Sequence, residues 1–295
     1  MNLTDTHCHL DLENFDPDRP AVLERAARAG LVHILIPGLN LPSSRSAVKL
    51  AESHPMLSAA IGVHPTEAAT WNEFSIDDLS VLASGISGSS APSGTLGTSK
   101  TSDTAKVVAI GEIGLDYYWN AATRELQKNI LRLQLDLAAR LGLPVILHMR
   151  ESRDAQHEQC AWDLMQILEI WIAGLRLGNN PLAERPGVLH SFSGSLETAH
   201  RAISLGFSIG VTGPVTFKNA NARQAIVTAL PLDHILLETD APFQTPHPYR
   251  GKRNEPSYVR LIADKIALLH ARTIEEVAAA TSENAGRLFV WKETA

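Results

Sequence analysis

Short apolar runs alternate with longer amphipathic stretches along the chain, the pattern of repeated βα units laid around a parallel sheet. Eight runs read as strands: Leu3 to His9, Val32 to Pro37, Leu57 to Val63, Val107 to Ile113, Val145 to His148, Val188 to His190, Phe207 to Val211 and Ile235 to Thr239. Between them, apolar residues recur at spacings of three and four over Arg19 to Ala29, Arg124 to Leu141, Ala161 to Ala173 and Leu196 to Leu205, which predicts helices packed by one face. Pro256 to Ala271 and Ile274 to Phe289 read as closing helices. Eight such units predict a (β/α)8 TIM barrel.

Two stretches break the pattern. From Ser84 to Ala105, 16 of 22 residues are Ser, Thr, Gly or Pro, so the segment has little to bury and reads as a flexible surface insertion. Gly174 to Pro186 reads as an extended loop between helix and strand. A length of 295 residues fits either two domains or one barrel, and the βα pattern favours one unit over 1–295. The formal charge of −6 argues against a protein that passively coats DNA, while leaving room for an enzyme with local basic groups. Acidic residues in the first twenty positions exclude a signal-peptide core, and no apolar stretch approaches a membrane span, which predicts a cytoplasmic protein. Two cysteines, Cys8 and Cys160, are too few for a disulfide framework.

The candidate chemistry starts in LTDTHCHLD, where alternation on a strand puts His7, His9 and Asp5 on one face and Cys8 on the other. Glu112 lies at the end of the fourth predicted strand, His148 of the fifth, His190 of the sixth and Asp240 of the eighth. In a TIM barrel these ends share one mouth, so residues over two hundred positions apart would meet. Four histidines and two carboxylates there suffice for two divalent cations, with Glu112, flanked by Gly111 and Gly114, the best-placed bridge. Zn²⁺, Mn²⁺ and Mg²⁺ all suit such a donor set.

In chain order the motifs read DTHCHLD, IGVHP, GEIGLDYYW, PVILHMRES, HSFSG, LLETDAP and RNEP. Together they resemble the TatD family of metal-dependent deoxyribonucleases among the amidohydrolase-like barrels, over nearly the whole chain. The resemblance implies one metal on His7, His9 and Asp240, a second on His148 and His190, and Glu112 shared between them. It also implies that His64 donates to a substrate phosphate; a capping role before Pro65 is the alternative. The insertion before the fourth strand and the lengthened stretch after the fifth depart from the family and bear on substrate preference rather than chemistry.

Other groups divide between substrate and structure. Arg253, in the basic cluster Lys252 to Glu255, could grip phosphate oxygens or sit in a solvated loop. Arg150 could face the mouth with Glu151 fixing it, Asp116 could orient loop backbone or a ligand, and Tyr117, Tyr118 and Trp119 could stack on bases or pack against the protein. Ser191 and Ser193 lack a Gly-x-Ser-x-Gly elbow, and no nucleotide-binding fingerprint occurs, so neither a serine hydrolase nor ATP or NAD dependence is expected. The expected activity is hydrolysis of DNA phosphodiesters from an end, with Asp240 as ligand and base and Glu112 as bridge. Hydrolysis of an ester or amide on a nucleotide-linked or aminoacyl-tRNA substrate is the same-fold alternative, and a non-catalytic metal-binding module is the remote one.

Overall fold

A computed structural model describes residues 1–85, 106–119, 121–154 and 157–291. Eight strands pair in chain order, every recorded ladder parallel: β1 (Leu3–Asp5), β2 (Leu31–Pro37), β3 (Leu57–Ile61), β4 (Val107–Asp116), β5 (Val145–Arg150), β6 (Gly187–Leu189), β7 (Ser208–Val211) and β8 (Ile235–Leu237). The intervening helices are α1 (Arg19–Arg28), α2 (Leu41–Glu52), α3 (Ser75–Ser84), α4 (Arg124–Leu141), α5 (Gln159–Leu177), α6 (Leu196–Ser204) and α7 (Asn221–Ala229), with α8 (Val259–His270) and α9 (Ile274–Phe289) after the last strand. Most of the insertion expected at Ser84 to Ala105, namely 86–105, lies outside the described residues; Ser84 ends α3 and Gly85 caps it.

The barrel interior is filled by one buried residue from each of six strands: Leu35, Ala60, Ala109, Ile146, Val188 and Leu236. Leu288 and Phe289, at the end of α9, join this cluster. A larger apolar layer binds the outer strand faces to the helices. Packing also explains why α5 runs past the expected loop start. Trp171, Ile172 and Leu175 are all buried, so the apolar face continues through Gly174, and only then does a 3-10 turn at Pro181–Glu184 lead into β6.

The first strand is shorter and the fourth longer than the apolar pattern predicts. Regular pairing of β1 stops at Asp5, and beyond it the chain is held from both sides: Cys8 N donates to Leu35 O at 3.0 Å, and His9 N to Ala241 O at 2.8 Å. Thr6 N to Leu237 O (2.9 Å) and Asp240 N to His7 O (2.8 Å) complete the seam that joins the first and last strands. In β4 the register with β5 shifts between Ile110 and Ile113, around Glu112, and regular pairing then resumes up to Asp116.

Close approach of β4 and β5 depends on Gly114. Its φ is +143°, and a Cβ there would lie 2.0 Å from the carbonyl oxygen of His148. Gly114→Ala is expected to destabilise the protein by at least about 1–3 kcal/mol, since it adds backbone strain to overpacking. An unchanged urea midpoint would show that the two strands can separate without cost.

Candidate metal centre

The chain brings His7, His9, Glu112, His148, His190 and Asp240 together at the C-terminal ends of the strands, as the βα pattern requires, and adds His64. Three groups of donor atoms lie close enough to share a cation: His7, His9 and Asp240; His7, Glu112 and His190; and His64, Glu112 and His148. The Nε2 atoms of His7 and His9 face each other at 3.3 Å. Glu112 Oε2 lies 3.2 Å from His7 Nε2 and 3.7 Å from His9 Nε2, while Asp240 Oδ1 lies 3.4 Å from His9 Nε2. The other oxygen of Glu112, Oε1, lies 2.9 Å from His148 Nδ1 and 3.5 Å from His64 Nε2. Glu112 therefore has one oxygen in each half of the cluster.

This donor set fits divalent cations. Imidazole nitrogens and carboxylate oxygens converge in a buried space, and the inward-facing nitrogens of His7 and His9 offer lone pairs that a cation satisfies. The family resemblance implies that His148 and His190 share a metal. By donor-atom proximity His148 lies with His64 and Glu112, and His190 with His7 and Glu112, its ring stacked on that of His7 at 3.3 Å between centroids. His64 also caps the 3-10 turn at Pro65–Thr70, its Nδ1 accepting from Thr66 N at 3.2 Å, so the capping alternative and a place in the cluster hold together.

Electrostatics separates the imidazoles. Burial, together with the neighbouring His190, pushes His7 down to about 4, so it is neutral and ready to ligate. For His190 burial acts in the same direction, but the adjacent Glu238 carboxylate outweighs it and raises the group to about 9. Burial raises Asp240, yet the His9 hydrogen bond and the charge of His190 prevail and hold it at about 2, ionised throughout the neutral range. Glu112 is likewise kept well below the usual carboxylate range, because His7, His64 and His148 more than offset its desolvation.

A second ring of side chains fixes these donors. Glu238 is fully buried and accepts from Ser191 N (2.8 Å), with His190 Nδ1 2.9 Å away. It fits because Gly210 faces it: a Cβ there would approach the Glu238 carboxylate to 2.2 Å. Asp116 performs both roles expected of it, accepting from Tyr118 N and Trp119 N at 2.9 Å through Oδ1 and lying 2.9 Å from His148 Nε2 through Oδ2. Asp5 accepts from Thr239 N and Oγ1 (2.9 and 2.6 Å) and so ties β1 to the segment before Asp240. Gln244 Nε2 donates to Asp240 Oδ2 and to Ser191 Oγ, both at 2.6 Å. Asp240, Ser191 and Gln244 all have positive φ, at 56°, 44° and 51°. Left-handed backbone at three linked non-glycine residues is strain of the kind that accumulates at functional sites.

Glu238 lies in LLETD, two residues before Asp240, and strand alternation could have flagged it; nothing in the sequence singles out Gln244.

Arg253 does not reach this centre. Its Nη1 donates to Asp18 Oδ1 and Asn14 O at 2.7 Å, its Nη2 donates to Asp18 Oδ2 at 2.8 Å, and the guanidinium lies over the ring of Phe15. The expected phosphate contact is thus replaced by a structural one, because an acidic partner on the β1–α1 side already occupies the fork. RNEP as a whole pins the loop after β8: Asn254 Nδ2 donates to Thr239 O and Phe243 O, and Glu255 pairs with Arg25 at 2.7 Å. Glu151, expected to fix Arg150, instead accepts from Cys160 N and Ala161 N at the start of α5. Tyr117 is buried and donates to Asp163, so it packs against the protein. Trp119 lies half in solvent beside the cluster, and Arg150 stacks 4.0 Å above the Tyr118 ring.

The centre opens into a cavity of about 670 Å³. A TIM barrel with buried histidines and carboxylates converging at its mouth defines a metal-dependent hydrolase. The chain belongs to the TatD related DNase family, whose model matches residues 4–290. It is 38% identical over 287 residues to the metal-dependent hydrolase YabD of Bacillus subtilis, covering 97% of this chain and 98% of YabD. It is 34% identical to the 3'-5' ssDNA/RNA exonuclease TatD of Erwinia amylovora, over 98% of this chain and 97% of that one. Among solved structures, the TatD homologue YjjV of Escherichia coli superposes with a TM-score of 0.81 at 34% identity, covering 98% of both chains. No described helix is long and apolar enough to cross a membrane.

The Asp18–Arg253 pair carries a pH signature. Hydrogen bonds from Arg253 and Arg25 hold Asp18 at about 2, below its ordinary 3.8. A depressed carboxylate contributes stability above its unfolded pKa and loses it as pH falls through the folded one. The stability difference between the parent and Asp18→Asn should therefore be full above pH 4 and close as the pH falls towards 2. The pair is partly exposed, so the difference is at most about 1 kcal/mol. Urea midpoints that differ equally at pH 6 and pH 3 would contradict this.

Proposed function

We propose that this hydrolase cleaves phosphodiester bonds of DNA or RNA strands, from an end, with two divalent cations held on either side of Glu112. The observation that carries the reading is the division of the Glu112 carboxylate: Oε2 faces His7 and His9, and Oε1 faces His148 and His64. His7, His9 and Asp240 would hold one cation and His64 and His148 the other, with His190, stacked on His7, beside the first. When bound, such a pair polarises the phosphoryl oxygen and lowers the pKa of water from about 15.7 towards 7.

The protein's own groups supply the rest. Asp240, ionised and steadied through Oδ2 by Gln244, presents Oδ1 to the centre and takes the proton of the attacking water. Glu238 and Asp116 hold His190 and His148 in orientation. The Trp119 face and Arg150 offer a stacking platform at the cavity wall for an unpaired base. The name of the Erwinia relative supports a nucleic-acid substrate.

Asp240→Asn nearly preserves volume while removing the proton acceptor. It should lower turnover by about two to four orders of magnitude on end-labelled single-stranded DNA and RNA, with Mn²⁺, Zn²⁺ or Mg²⁺ in excess, and leave a folded protein with a cooperative unfolding transition. Parent-like turnover of the variant would remove Asp240 from the chemistry. A parent active on carboxylic esters and inactive on every nucleic acid would establish the ester reading instead.

A further inference from the structure

Beside the metal-site cavity lies a second one of about 380 Å³, and two residues, Ser193 and Arg223, line both. Its walls are largely apolar: Phe192 from the loop after β6, Ile209 and Val211 from β7, Ile226 from α7 and Leu230 just after it. Arg223, near the start of α7, stands where the two meet. Its Nη1 donates to Phe192 O at 2.8 Å, which anchors one edge of the guanidinium. Among the described residues no carboxylate lies within salt-bridge distance of it, whereas Arg253, Arg25 and Arg201 each have an acidic partner. Arg223 is half-buried, and desolvation with no compensating anion depresses its pKa. A cation with no acidic partner, lining the same cavity as the candidate metal centre, is placed to meet an anion.

Resting on the nuclease reading above, we propose that Arg223 and the adjoining apolar cavity form a nucleotide subsite for the unit flanking the scissile bond. Arg223 grips the neighbouring phosphate, and the cavity takes that unit's base. The planar fork suits two phosphate oxygens, and the anchoring carbonyl pre-orients it. An unpaired base gains by leaving water for the Phe192 and Ile226 walls, and the polar lining includes Ser195 and Glu158, whose side chains bond each other at 2.7 Å. Arg223 thus takes the place expected of Arg253.

The test compares hydrolysis of a single-stranded oligonucleotide with that of a small one-phosphate diester, bis(4-nitrophenyl) phosphate, by the metal-loaded parent, Arg223→Met, Arg223→Lys and Ala222→Trp. Arg223→Met should raise KM for the oligonucleotide about tenfold with kcat within about twofold, and leave the small diester unaffected. The slope of log KM against log salt should flatten by about 0.7, one phosphate contact on a single strand. Arg223→Lys should restore the salt slope and part of the affinity. Ala222 is exposed at the cavity rim, so Ala222→Trp should fold, raise the oligonucleotide KM and leave the salt slope unchanged. A parent-like KM and salt slope in Arg223→Met, in a protein that cleaves the oligonucleotide, overturns the subsite alone. A parent that hydrolyses the small diester but no oligonucleotide overturns the nuclease reading and the subsite with it.

Discussion

A ring of eight parallel strands must close on itself, and here the closure and the cluster of candidate metal donors are made by the same residues. The backbone of Thr6, His7, His9, Asp240 and Ala241 carries the hydrogen bonds across the seam between the first and last strands. The side chains of His7, His9 and Asp240 then have nowhere to point but into the mouth. Asp240 adopts a left-handed backbone to do both, and the cost is met by bonds around it: its amide to His7 O, its Oδ2 from Gln244, and Asn254 to the flanking carbonyls. The geometry of these donors is therefore a consequence of barrel closure rather than an addition to it.

Glu112 extends that seam to the far side of the mouth. It sits where the register of β4 against β5 shifts, between two glycines that let the strands approach. Nearly all of its carboxylate is buried, and each oxygen meets a different set of imidazoles. A buried carboxylate is costly unless opposite charge or hydrogen bonds surround it, and His7, His64 and His148 supply that environment. The same neighbours that stabilise Glu112 are those a cation would replace as its partners.

Much of this was legible in the chain itself. The eight apolar runs matched the eight strands in place, α4 and α9 in their bounds, because long amphipathic periodicity leaves helices little choice. His7, His9, Glu112, His148, His190 and Asp240 could be gathered from sequence because a parallel barrel converts the order of strand ends into proximity. What could not be read was the proximity among side chains that all point inward: the donor atoms of His148 lie with those of His64 across Glu112, and no spacing in the sequence encodes that. Arg253 misled for a related reason: a basic cluster next to Asp240 looks like a phosphate clamp until Asp18, over two hundred residues away, is found in its fork. Arg223 carried no signal, being one charge in a polar helix start. Its significance lies in the acidic partner it lacks and the two cavities it separates.

The proposed function requires Glu112 to stand between two cations. Anomalous diffraction from crystals grown with Mn²⁺ or Zn²⁺ tests this most directly. Two peaks about 3.5 to 4 Å apart in the mouth, with Glu112 bridging them, are the predicted result. A single peak that leaves one oxygen of Glu112 without a metal, or peaks elsewhere on the barrel, would contradict it.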